Sequence, residues 1–227
     1  MSITTTQLTR VAGLSAIAAG LLFAGVQINH PPLDLAFIAS TEFAVRQGMK
    51  IAMAVLSLAG ITGMYLTQVR RMGVLGLIGY VVFAAGYLAM LTLEVSGLVI
   101  IPAIASSAPG YVSDFIAVAT NHAPVGDLGL MPQLNLIVGI GYLAGGLLFG
   151  IALYRARVLA RWASILLAVA TTFTAAIPLL PMVNQRLFAV PTGIAMVGLG
   201  WSLWRNARIE ADASPEISLR PEASVVR

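Results

Sequence analysis

Of the 227 residues, 59% are hydrophobic and 10% are charged, with a mean hydropathy of +0.91. Soluble domains carry about a quarter charged residues, so an ordinary soluble globular protein is excluded. The chain has no cysteine, which removes thiol nucleophiles, cysteine-ligated zinc and iron–sulfur clusters, and its Gly and Pro show no period that would indicate collagen. A polytopic membrane protein remains. The net charge of +4 does not point to nucleic acid, because 12 of the 13 basic residues are Arg and most sit singly or in pairs beside apolar runs. That pattern sets membrane orientation.

Six segments reach the length of about 20 apolar residues that a spanning helix needs: 9–28, 49–68, 73–93 or beyond, 134–154, 162–180 and 187–205. The first lacks a small-x-small cleavage site around Leu22–Val26 and is read as a retained helix. The expected fold is all-α: a membrane bundle of six transmembrane helices over residues 1–208, then a flexible cytoplasmic tail over 209–227. Alternating the loops puts Arg10, Arg70, Arg71, Arg155, Arg157, Arg161, Arg205 and Arg208 on one side and Arg46, Lys50 and Arg186 on the other. The positive-inside rule then predicts a protein of the cell (inner) membrane with both termini cytoplasmic.

Residues 72–113 contain one charged side chain, Glu94, and as a helix would reach about 63 Å, enough for two crossings. A seventh helix there would carry Arg155, Arg157 and Arg161 outside, so 102–133 is read as a long external loop between helices three and four. Within it Ser113 and Asp114 predict an N-cap for a short interfacial helix over Phe115–Ala119, which makes the loop a lid.

Small residues mark the packing faces. Gly141, Gly145, Gly146 and Gly150 form two small-xxx-small steps in helix four, and Gly73, Gly76 and Gly79 form a ridge entering helix three. Packing inside the chain is the first reading, and a homo-oligomer through Gly141, Gly145, Gly146 and Gly150 is the alternative. Ala18–Phe23 also matches Ala144–Phe149 closely enough to raise an inverted repeat of two three-helix halves.

Counting about 1.5 Å per residue from the cytoplasmic arginines places His30, Lys50, Glu94, Asn135 and Arg186 at one level, the outer interface, and leaves the span centres free of ionisable side chains. A midplane proton relay and a haem between helices are both disfavoured by that absence. Glu42, Arg46 and Lys50 recur at i, i+4 and i+8 along one helix face, within reach of Glu94. The bland reading is a set of interfacial charges with one ion pair between helices two and three. The sharper one is an outer polar pocket of His30, Asp34, Glu42, Arg46, Lys50, Glu94 and Asn135 under the loop. His30 and His122 lack ligand spacing, and the residues imply neither a metal nor a cofactor.

The string from His30-Pro31-Pro32 through Lys50–Leu56, the loop Gln68–Gly76, Leu147–Ala152 and Trp201–Arg205 resemble a group of uncharacterised bacterial multi-pass membrane proteins. The resemblance covers the chain to about residue 208 and implies the same six-helix fold, with no activity to carry over. Three functions follow as expectations. The first is a non-enzymatic membrane protein that binds a hydrophobic small molecule or lipid in the outer pocket, or serves as a helper subunit. The second is an enzyme acting on an isoprenoid or lipid, with Glu94 as general acid and Asp114 or Asp127 as partner. The third is a small inverted-repeat transporter of an uncharged substrate.

Overall fold

The computed structural model describes residues 3–28, 31–120, 122–173 and 189–213. Among them every regular element is helical: α1 (Thr5–Gly25), α2 (Leu35–Ile38), α3 (Thr41–Leu66), α4 (Val69–Val99), α5 (Ile101–Ile104), α6 (Pro109–Ala119), α7 (Met131–Ile140), a π-turn (Gly141–Gly145), α8 (Gly146–Ala156), α9 (Arg161–Phe173) and α10 (Ala189–Ala213). Four continuous segments are long and apolar enough to cross a membrane: α1, α3, α4 and the run from α7 through α8. Large apolar side chains cover the outside of the bundle, among them Leu21, Val74, Leu88 and Leu136, each more than half exposed. Such a surface aggregates in water and is solvated in hydrocarbon. This is a membrane-embedded protein.

The helices begin where short polar side chains close their first turns. Thr4 accepts from Gln7 N (3.2 Å) while Gln7 Oε1 accepts from Thr4 N (3.0 Å), a reciprocal capping box that starts α1. Ser40 accepts from Phe43 N and starts α3. Only Thr67 and Gln68 separate α3 from α4, so those two helices must run antiparallel side by side.

Packing follows the chain. Each long segment lies against its sequence neighbours, in the order α1, α3, α4, α7–α8, α9, α10, and α10 returns to close the ring on α1. Close approach is made by glycines whose missing Cβ would strike the next backbone. Gly13 faces Gly200 and Gly20 faces Gly193 across α1 and α10; Gly60 meets Ala16; Gly79 meets Phe149 and Gly86 meets Gly141 across α4 and the π-turn segment; Gly150 meets Ala168. Every one of these pairs is antiparallel. Large side chains fill the middle, with Phe83, Tyr87 and Phe149 wholly buried and Tyr65 stacked on Tyr80 at 4.7 Å.

Several expectations need correction or sharpening. Gly141, Gly145, Gly146 and Gly150 are all buried against Gly86, Phe83, Thr171 and Ala168 of the same chain, so none of the four is left on the outer surface for a second copy. The ridge of Gly73, Gly76 and Gly79 does not form. Gly73 has φ +59° and breaks α4 after its first turn, with nothing near it, and of the three only Gly79 meets a neighbouring helix. An inverted repeat needs an axis in the membrane plane, which would reverse the order of helices around the bundle when the halves exchange. The observed ring runs once around in chain order, and no such axis generates it. Ala18–Phe23 and Ala144–Phe149 look alike because both supply buried small residues and one phenylalanine to helix contacts.

The loop after helix three is more helical than expected. Neither α5 nor α6, at 4 and 11 residues, is long enough to cross a membrane. Pro109 opens α6 in its first turn, so Ser113 and Asp114 lie inside that helix and do not cap it. The last helix runs on to Ala213, past the expected boundary at 208, because Ala207, Arg208, Ala211 and Ala213 are strong helix formers. Of the fifth span only Arg161–Phe173 lies within the described residues; His30, Arg186 and the tail from 214 lie outside them.

Candidate functional site

Arg10, Arg70, Arg71, Arg155, Arg157, Arg161, Arg205 and Arg208 collect at one end of the ring, where α1 begins, α3 turns into α4, α8 turns into α9, and α10 ends. The other end is capped. There α2 and α6 fold over α3, α4 and α7, and a small second core of Ile38, Phe43, Ile101, Val112 and Phe115 holds the cap down. Burying those five side chains contributes roughly 1.5–3 kcal/mol each toward the cap, against the ordering of its backbone.

A cavity of about 250 Å³ lies beneath this cap. Its polar wall is Arg46, Gln47 and Lys50 of α3, Glu94 of α4, Thr120 at the end of α6, and Asn135 of α7. Its apolar wall includes Phe37, Phe43, Met90, Phe115 and Met131. Lys50 Nζ stands 3.6 Å from Glu94 Oε2, with the two side chains 25% and 20% exposed. Lys50 also donates to Gln47 Oε1 at 3.0 Å, and Gln47 Nε2 donates to the Glu94 carbonyl at 3.5 Å. The three residues form one cross-helix unit in a setting much drier than open water. Gly97 makes room for it, since a Cβ there would lie 2.6 Å from Gln47 Nε2.

Arg46 has a different task. It donates Nη1 to the carbonyls of Val26 (3.0 Å) and Ile28 (3.1 Å) and pairs with Glu42 at 2.8 Å. Its guanidinium therefore satisfies carbonyls at the C-cap of α1 and in the turn after it, and complements the negative end of that helix. Glu42 is 53% exposed and does not line the cavity. The Arg46–Glu42 and Lys50–Glu94 pairs balance the charge at this end of the molecule, and the polar wall of the cavity presents both donors and acceptors to a group entering from outside.

Four of the seven residues expected in an outer polar pocket, Arg46, Lys50, Glu94 and Asn135, line this one cavity. Asp34 and Glu42 do not, and His30 lies outside the described residues. Asp34 caps α2 by accepting from Phe37 N at 2.7 Å. The carboxylates offered as partners for Glu94 also lie elsewhere. Asp114 accepts from Val125 N (2.7 Å) and Gly126 N (2.9 Å) and so pins the loop that follows α6, while Asp127 accepts from Gly129 N at 2.7 Å. Both hold backbone, as Asp commonly does in turns, and neither faces the cavity. Sequence reasoning missed Gln47, 5% exposed and central to the ion pair. Its signal was present: a polar residue three positions before Lys50 on the same face of an apolar helix.

Deeper in the bundle the polar groups are hydroxyls. Tyr142 in the π-turn donates to Thr192 Oγ1 at 2.7 Å, tying α10 to the segment on the far side of α9, and Thr62 bonds Tyr80 at 3.0 Å. The extra residue of the π-turn swings Tyr142 inward against Phe23 and Phe83. No group of three or more His, Cys, Asp or Glu able to hold a metal occurs among the described residues.

No protein-family model matches this chain, and no curated protein or solved structure matches it. The functional reading therefore rests on the site itself.

Proposed function

We propose that the protein is a six-span cell-membrane protein with both termini in the cytoplasm, and that it binds a hydrophobic small molecule or lipid in the capped cavity at the outer end. The observation that carries this reading is a lidded cavity joining a Lys50–Glu94–Gln47 unit to aromatic and methionine walls. Ligand sites have that makeup: mostly apolar surface with a few convergent polar groups. At about 250 Å³ the cavity lies just below the usual range of about 300–1,000 Å³ and suits a small head group or a short amphipathic molecule. An enzymatic role for Glu94 receives less support, because its carboxylate faces Lys50 and the nearby aspartates are spent on backbone N–H groups.

The six-span count extends four clear spans by α9 and α10, which pack into the same ring and alternate direction with it. The orientation rests on the arginine-rich end being cytoplasmic. It is tested by labelling with an impermeant thiol reagent from outside. Val125→Cys, at a position 99% exposed, should react, and Thr67→Cys, in the turn between α3 and α4, should not. The reverse pattern would sink the orientation. Binding is tested by native mass spectrometry of the protein released from its own lipids. A discrete small adduct should accompany the wild type and vanish in Glu94→Gln at unchanged yield; an adduct indifferent to both Glu94→Gln and Lys50→Met would refute the site.

A further inference from the structure

A second and larger concavity, about 670 Å³, lies on the outward face of α10 between α1 and the start of α9, and shares no residue with the capped cavity. Gly20, Gly193 and Gly198 line it where α1 and the Trp162 ring pack closely on α10, and two indoles, Trp162 and Trp201, stand at its sides. Both indoles are more than half exposed. Arg205 closes the groove at the arginine-rich end. From Gly193 to Arg205 is about 18 Å of helix, close to half of the roughly 30 Å hydrocarbon thickness, so the groove has the length of one leaflet. Tryptophan beside arginine at its end is the side-chain pairing of a membrane–water interface.

The polar groups of the lining separate clearly. Ser202 accepts from Ala160 N at 3.1 Å and Asn206 donates to the Val158 carbonyl at 3.1 Å, so both are spent in tying the turn before α9 to α10. Arg205 has neither a hydrogen bond nor an ion pair among the described residues. The same end of the bundle carries further cations: Arg161 stacks on Tyr154, Arg208 on Trp204, and Arg155 and Arg157 end α8. A zwitterionic head group would bring its own cation to this arginine-rich end. A head group with net negative charge would not.

We propose that this groove holds one anionic phospholipid of the leaflet at the arginine-rich end, with an acyl chain along α10 between the indoles and the phosphate at Arg205. The test uses the full chain, reconstituted in unlabelled phosphatidylcholine with a small mole fraction of acyl-brominated phosphatidylglycerol or acyl-brominated phosphatidylcholine, and reads tryptophan quenching. Brominated phosphatidylglycerol should half-quench at about a fivefold lower mole fraction, the ratio expected for one arginine beside an anionic lipid. Arg205→Gln should remove that preference with an unchanged circular dichroism spectrum, Arg205→Lys should retain most of it, and Arg208→Gln should keep it. Equal quenching by the two lipids in the wild type overturns the proposal. So does an equal loss in Arg208→Gln, which would assign the effect to surface charge at large, or loss of the preference in millimolar inorganic phosphate. Absence of quenching by either lipid also overturns it, since the indoles would then be covered by protein, either a second copy or the segment from 214 onward.

Discussion

Replacing Gly200 by alanine tests the seam that closes the ring. The added Cβ would lie 2.6 Å from Gly13 O and 2.9 Å from both Ala16 Cβ and Ile17 N, all on α1. Two of those atoms are backbone, so no side-chain rotation relieves the contact and the helices must part. Restoring an ordinary separation of roughly 3.4 Å opens the seam by about 0.8 Å, and a gap of that size forfeits a quarter to a half of each atom-pair attraction of about 0.1–0.2 kcal/mol. Over about twenty such pairs the loss is ~1 kcal/mol, and residual strain brings the expected destabilisation to ~1–3 kcal/mol. Gly139 is the control: it is exposed on α7 with nothing within 4 Å of a built Cβ. Gly139→Ala should be neutral or stabilise by up to ~1 kcal/mol, through helix propensity alone. Reversible unfolding in mixed micelles of mild detergent and dodecyl sulfate, followed by circular dichroism, compares the two. If Gly200→Ala is as stable as Gly139→Ala, α1 and α10 do not form the close glycine seam described above.

Other consequences follow from the capped end. Lys50→Met strands a Glu94 carboxylate that is mostly buried and should cost ~1–3 kcal/mol, less than a fully buried pair because both side chains keep some solvent; Lys50→Met with Glu94→Leu should recover most of it, and additivity of the two single effects would show that the ion pair is not coupled. Arg46→Lys keeps the charge but loses the fork that reaches Val26 and Ile28, so hydrogen exchange should quicken at residues 26–28 while α3 itself stays protected; unchanged exchange there would refute the clamp. Asp114→Ala releases Val125 N and Gly126 N and should loosen residues 122–128 at a cost of ~1–2 kcal/mol, with retention of the cavity ligand as the discriminating readout: a catalytic aspartate would predict the opposite, unchanged loop protection with altered chemistry.

Much of the candidate site was legible in the sequence as a level and little of it as a set of contacts. Counting residues from the arginines placed Lys50, Glu94 and Asn135 at one height, because helical rise is the same in every span. The count says nothing about azimuth. Asp34, Glu42, Asp114 and Asp127 belong to the same end of the molecule yet turn to helix N-termini, to Arg46 or to loop amides, where short carboxylates find backbone donors close by. Gln47 went unnoticed because an amide carries no charge to attract attention, although its position beside Lys50 on an apolar helix was itself anomalous.

The sequence by itself determined that the chain lives in a membrane, that its helices are long, and which end of the bundle carries the arginines. Those properties depend on each segment separately: hydrocarbon demands internal hydrogen bonding and apolar surface from every span, whatever its neighbours do. The tertiary structure alone decided the ring order of the described helices, which no inverted repeat generates, and the inward use of Gly141, Gly145, Gly146 and Gly150. It also decided that α2 and α6 cap a cavity around Lys50 and Glu94 while a groove flanked by Trp162 and Trp201 opens along α10 toward the other end. In lipid the hydrophobic effect does not select one helix partner over another, so partner choice falls to backbone-close packing at small residues. Which glycines meet is a property of pairs of helices, and no single stretch of sequence contains it.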